Sequence, residues 1–190
     1  MPRWRCLPRR VFSATRLDDV AKRAGISKGT LYLYFDSKQA LFQAVVETLI
    51  GPQLKQIEKL VDEFEGSNQA LLRQLIQGWW RNVGETNISA IPKLIVSEAG
   101  NFPELARFFV TNVVSRMRTI FEGIISNGVA SGEFKSCDIK HVARALMSPM
   151  VLAAIWERSL KHFDSEEYDT QAYLNVQVDV MINGMRKAGV

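Results

Sequence analysis

The stretch GISKGTLYLYFDSKQAL, residues Gly25–Leu41, places Lys28, Tyr32, Tyr34, Phe35 and Lys38 within a few turns of chain. A core helix would be more apolar. A merely solvated helix would not carry three aromatic rings. The preceding residues, TRLDDVAKRAG at 15–25, read as a helix. Thr15 is expected as its N-cap, and Asp18 as the capping-box partner three residues on. Leu17, Val20, Ala21 and Ala24 fall on one face, and Gly25 stands where a C-cap belongs. Ser27 starts a second helix that runs through Thr30 and Leu31 to about Tyr34. Asp36 or Ser37 then caps a third, with Ala40, Leu41, Ala44, Val45 and Leu49 as its apolar stripe. Two helices across a tight glycine turn, the second short and polar, make a helix-turn-helix.

The charge distribution supports this reading. The chain has 190 residues and a net charge of +4. Residues 1–50 hold nine Lys and Arg against four acids, a net +5, and the remainder is −1. A polyanion such as DNA is the partner that such a basic end favours.

Outward from the motif, almost every segment between breakers fits a helical period, so the chain is expected to be all-α. Pro52 after Gly51 is expected to break or kink the third helix. The boundary between a head at 1–50 and a body at 51–190 is placed there. Helices are expected over about 69–83, 89–98, 103–129, 138–162 and 169–187. Pro103 sits where a first-turn proline is welcome, and SGEFKSCD at 131–138 is a loop. The hydrophobic content of 47% is enough for a sizeable core.

The motif closely resembles the DNA-binding segment of the TetR/AcrR family of bacterial transcriptional regulators. The features that carry the resemblance are Asp19-Val20-Ala21, Ala24-Gly25-Ile26-Ser27, Gly29-Thr30-Leu31-Tyr32, Tyr34-Phe35, and Lys38 before Ala40-Leu41-Phe42. It covers about residues 14–50. It implies that the second helix enters the major groove with Leu31 and Phe35 facing inward. Lys28 then reaches a guanine edge or a phosphate, and Thr30 a phosphate or a thymine methyl. Gly29 lets the backbone come close to the duplex. Tyr32 and Tyr34 offer phenol groups to phosphate oxygens. Lys38 and Thr15, at the starts of flanking helices, match positions that hold the backbone. The family usually carries a full helix ahead of the motif. Here RRVF at 9–12 looks like the stub of one, because Pro8 would interrupt it.

By the same resemblance, the body binds a small effector and pairs with a second copy. Trp79, Trp80, Arg81, Arg118, Phe121, Met147 and Met150 are the expected pocket residues, with Glu98 and Asn101 as further polar contacts. Stripes of this kind also build plain bundle cores. Pro149 is expected to kink its helix. Ala154, Val176 and Val180 are the expected interface residues in a four-helix contact between two protomers, with Ala143, Leu146, Val151, Ile155 and Met181 beside them. A two-fold dimer suits a palindromic operator. The family implies a repressor.

No run is apolar enough to cross a bilayer, and no secretory pattern appears, so a reduced cytoplasmic protein without a membrane partner is expected. Cys6 and Cys137 lack metal-ligand spacing. His141 and His162 are too far apart for a metal-binding helix motif. No phosphate loop or nucleophile elbow occurs, so neither an enzyme nor a cofactor is expected. The competing reading is a small-molecule carrier or protein-binding factor whose DNA head is impaired.

Overall fold

A computed structural model describes residues 15–166 and 169–187. Within them the chain forms α1 (Leu17–Ala24), α2 (Lys28–Tyr34), α3 (Lys38–Glu63), α4 (Asn68–Trp79), α5 (Ala90–Glu98), α6 (Pro103–Phe109), α7 (Ser115–Ala130), α8 (Ile139–Ser159) and α9 (Thr170–Met185). A π-helical turn, Trp80–Gly84, extends α4, and a second, Val110–Val114, joins α6 to α7. Among the described residues there is no strand, and one isolated bridge pairs Phe134 with Arg186. The all-α expectation holds. RRVF, Pro8 and Cys6 lie outside the described residues.

Local chemistry explains most helix starts. Ser27 accepts the Thr30 amide at 3.0 Å, Ser37 that of Ala40, Ser67 that of Ala70, and Asp169 that of Ala172. Each satisfies a donor that the first turn leaves over. Gly25 has φ +69°, and the Ile26 amide reaches back to the Ala21 carbonyl at 3.1 Å, so the turn between α1 and α2 needs its glycine. Thr15 is not the cap of α1. Burial of Leu17 and Ala21 sets where that helix begins, so Arg16 takes the cap position, and Asp19 rather than Asp18 accepts its amide, at 3.3 Å.

Neither interior proline ends its helix. α3 runs 26 residues through Pro52. Val46, Ile50 and Leu54 recur every fourth residue and are all buried, so packing on both sides holds the helix across the missing hydrogen bond. α8 likewise continues through Pro149.

Two cores form. Leu17, Ala21 and Leu31, with Val20, Phe35 and Leu41, make the small core of the head. The body core begins one residue later, at Phe42, and extends to Met185. α7 lies at its centre through Phe121, Ile124 and Ile125. Leu72 and Ile76 of α4, Leu146 of α8 and Leu174 and Ile182 of α9 are in the same buried cluster. Each such side chain contributes roughly 1.5–3 kcal/mol by burial. The neighbours Leu41 and Phe42 thus bind α3 to both cores.

The loop after α7 closes the far end. Glu133 accepts the backbone amides of Asn68 at 2.9 Å and Gln69 at 2.8 Å, at the start of α4. Burial works against its charged form, but these bonds and that from the Asn68 side chain outweigh it and hold the carboxyl below the usual range. Phe134 packs directly on Gly128, where a Cβ would fall 2.1 Å from its ring.

Candidate DNA interface and effector cavity

α2 has only seven residues, and its inward anchors are the buried Leu31 and, just past its end, the half-buried Phe35. The rest of its surface is open. Leu33 is 83% and Tyr34 75% exposed. Lys28, Gly29, Thr30, Tyr32 and Tyr34 therefore share one exposed helix. Thr15 lies just ahead of α1, and Lys38 is the first residue of α3.

Several of these residues already hold partners within the protein. Lys28 donates to Asp18 at 2.8 Å, and the Tyr32 hydroxyl lies 3.4 Å from the other carboxylate oxygen. The Lys28 ammonium also sits 5.6 Å from the centre of the Tyr32 ring. The hydrogen bond from Lys28 pulls the Asp18 carboxyl down, and the same bond raises Lys28. Ser27 and Thr30 pair their hydroxyls at 2.7 Å. A Cβ built on Gly29 would meet only Ser27 Oγ, at 3.8 Å, so nothing inside the protein demands glycine there. Lys38 places its ammonium 4.9 Å from the centre of the Phe102 ring, in the turn between α5 and α6.

The body contains an apolar cavity of about 260 Å³. Its walls are Ile50, Leu54 and Ile57 of α3, Trp79, Pro92 and Ile95, Phe109, Met117, and Met147 and Met150 of α8. Val96, Val110 and Val151 also line it and are partly exposed, so they form its rim. Among the described residues, Gln53 is the one amide side chain on the wall. Both π-helical turns contribute, through Val83 and through Val110, Val113 and Val114. Turns of this kind are uncommon and concentrate at functional sites.

The cavity contains Trp79, Met147 and Met150 but not the other four expected pocket residues. Trp80 is buried with its ring over Gly84, where a Cβ would fall 2.1 Å away. Arg81 is exposed. Arg118 lies 3.8 Å from Glu122 along its own helix. Phe121 is 0% exposed in the bundle centre. Glu98 and Asn101 are also off the wall, and Asn101 donates to the Glu98 carboxylate at 3.0 Å. The contribution of α3 was missed. Its signal was the spacing of Ile50, Gln53, Leu54 and Ile57, a helical stripe containing one amide.

A second, polar groove lies between the ends of α8 and α9. In it Glu157 takes Lys161 at 2.8 Å and the Thr170 hydroxyl, and Arg158 reaches Ser89 at 2.8 Å.

The expected interface residues divide. Val176 and Val180 are 63% and 64% exposed on α9, and Leu152 on α8 is exposed as well. Ala154 is 0% exposed, because it continues the inward stripe of Leu146 and Met150, so it packs inside its own chain. Among the described residues no group of side chains could hold a metal ion, and no helix is long and apolar enough to cross a membrane.

Comparison with known proteins gives the same two parts. Residues 4–45 match the model of bacterial regulatory proteins of the tetR family, and residues 70–183 that of the C-terminal domain of AefR-like transcriptional repressors. An uncharacterised HTH-type transcriptional regulator of Bacillus subtilis (strain 168), YhgD, is 30% identical over 82% of this chain and 80% of its own. In fold, the chain is similar to the transcriptional regulator FadR from Bacillus subtilis in complex with stearoyl-CoA. The TM-score is 0.73 at 20% identity, covering 90% of this chain and 89% of that one. It is also similar to the ketosteroid transcriptional regulator KstR2 of Mycobacterium tuberculosis, with TM-score 0.70 at 19% identity over 92% and 86%.

Proposed function

This chain belongs to the tetR family of bacterial regulatory proteins, a DNA-binding regulator, and from that premise we propose a dimeric repressor released from its operator by an apolar effector. The observation that carries the reading is the exposure of Leu33 and Tyr34 on a short helix held from inside by Leu31 and Phe35. Bulky side chains left in water on a short basic helix suit a groove that will cover them. Lys28, Thr30, Tyr32 and Tyr34 would meet the duplex, with Thr15 and Lys38 on phosphates at either side.

The effector is inferred from the cavity. Its wall carries no charge and one amide, so it suits an aliphatic chain or a steroid-like skeleton with a single hydrogen-bonding group near Gln53. The relation in fold to a stearoyl-CoA complex and to a ketosteroid regulator supports that class. A charged head group would have to stay outside the rim of Val96, Val110 and Val151. The second copy would cover Leu152, Val176 and Val180, a surface that costs solvation while exposed.

The test is to select genomic fragments on the immobilised protein and footprint the best. A dimer protects two half-sites related by two-fold symmetry, one helical turn or a multiple apart. A straight-chain fatty alcohol should then weaken operator binding about 5–150-fold, and the operator should weaken alcohol binding by the same factor. A single asymmetric footprint contradicts the dimer. Alcohol binding that ignores saturating operator contradicts the release mechanism.

A further inference from the structure

We propose that Phe102 is a positioning residue for DNA binding: its ring holds the Lys38 ammonium in place for a phosphate, from a turn that is itself part of the cavity's frame. The proposal rests on the reading of the head as a DNA interface.

Lys38 is the first residue of α3 and Phe102 the residue before Pro103, far apart in sequence. They meet with the ammonium 4.9 Å from the ring centre, inside the roughly 6 Å range of cation–π attraction. A lysine stem is flexible, and ordering it on binding is costly. A ring against one side of the ammonium restricts the stem beforehand.

The turn that carries the ring is well fixed. Phe102 and Asn101 both donate their amides to the Glu98 carbonyl at 2.9 Å, and the Asn101 side chain binds the Glu98 carboxylate at 3.0 Å. Glu98 is buried, and Pro103 restricts the backbone of the residue before it. The helices on either side of the turn both line the cavity, α5 through Ile95 and α6 through Phe109. A change in the wall is therefore transmitted to the ring by a few residues of stiff chain. Lys38 would then lose this ring contact without the head unfolding.

The experiment is a double-mutant cycle on a fluorescein-labelled random-sequence duplex, read by anisotropy. Phe102→Leu keeps the bulk and removes the ring. It should weaken binding about two- to fivefold. In the Lys38→Ala background it should change nothing, and Phe102→Trp, which keeps a ring, should bind like wild type. The Lys38 ε-methylene protons should be shifted upfield by the ring in wild-type protein and return on Phe102→Leu. Equal loss in both backgrounds, or no loss, overturns the positioning role while leaving DNA binding intact. A wild-type protein that ignores duplex overturns the DNA reading itself and this role with it.

Discussion

The ammonium of Lys28 and the carboxylate of Asp18 lie 2.8 Å apart, joining the two helices of the motif through an exposed ion pair. An acid in that position opposes a polyanion while it steadies a lysine meant to meet one. Exposed pairs contribute little to stability. Asp18→Asn should therefore leave the melting temperature nearly unchanged and tighten binding to random-sequence duplex. Weaker binding would mean that Asp18 serves chiefly to aim Lys28.

Gly29 separates folding from function. The space around it is open, and alanine is favoured over glycine in a helix by roughly 0.5–1 kcal/mol. Gly29→Ala should raise the melting temperature slightly and weaken DNA binding, because the added methyl stands between backbone and duplex. A thermal melt and a mobility-shift titration on the same sample check both signs. Unchanged DNA binding would remove close backbone approach from the account.

The two copies are expected to meet through Leu152, Val176 and Val180. Val180→Glu should yield folded monomer, because an unpaired charge in a contact is costly. Ala154→Glu should instead unfold the chain, since that position is inside its own core. Sedimentation together with circular dichroism distinguishes the two. Dimeric Val180→Glu would place the contact elsewhere.

Glu133 predicts a pH dependence. Its folded-state pKa is depressed below an ordinary value of 4.5 by bonds to the start of α4. Its contribution is thus complete above 4.5 and lost as pH falls through the depressed value. Glu133→Gln should destabilise the protein by about 1 kcal/mol at neutral pH, the scale of a lost cap. The difference should shrink in acid. Denaturant melts at neutral and acid pH measure it, and a difference that persists in acid contradicts the assignment.

The head was legible in the sequence because its determinants are local. Gly25, Ser27 and Ser37 act within three or four residues of where they stand, and the structure uses each as its chemistry suggests. Thr15 was misread by one position because the start of α1 is set by burial of Leu17, a tertiary fact. Pro52 leaves α3 unbroken, since packing of Val46, Ile50 and Leu54 carries the helix past it. The cavity was half legible. Trp79, Met147 and Met150 lie on its wall, while Phe121 and Ala154 have compositions that suit a pocket or an interface but are claimed by the core. Which aromatic faces a void depends on how six helices meet, and no single stripe records that. Asp18 and Phe102, the partners of Lys28 and Lys38, are known only from the assembled structure.

The central claim is that the head grips phosphates. It is tested most directly by measuring the affinity of a labelled duplex across a series of salt concentrations, for wild-type protein and for Lys38→Ala. Wild-type affinity should fall linearly with the logarithm of salt, with a slope of about −0.9 per phosphate contacted, and Lys38→Ala should flatten that slope by about one unit. A wild-type slope near zero, or a slope that Lys38→Ala leaves unchanged, would contradict the account.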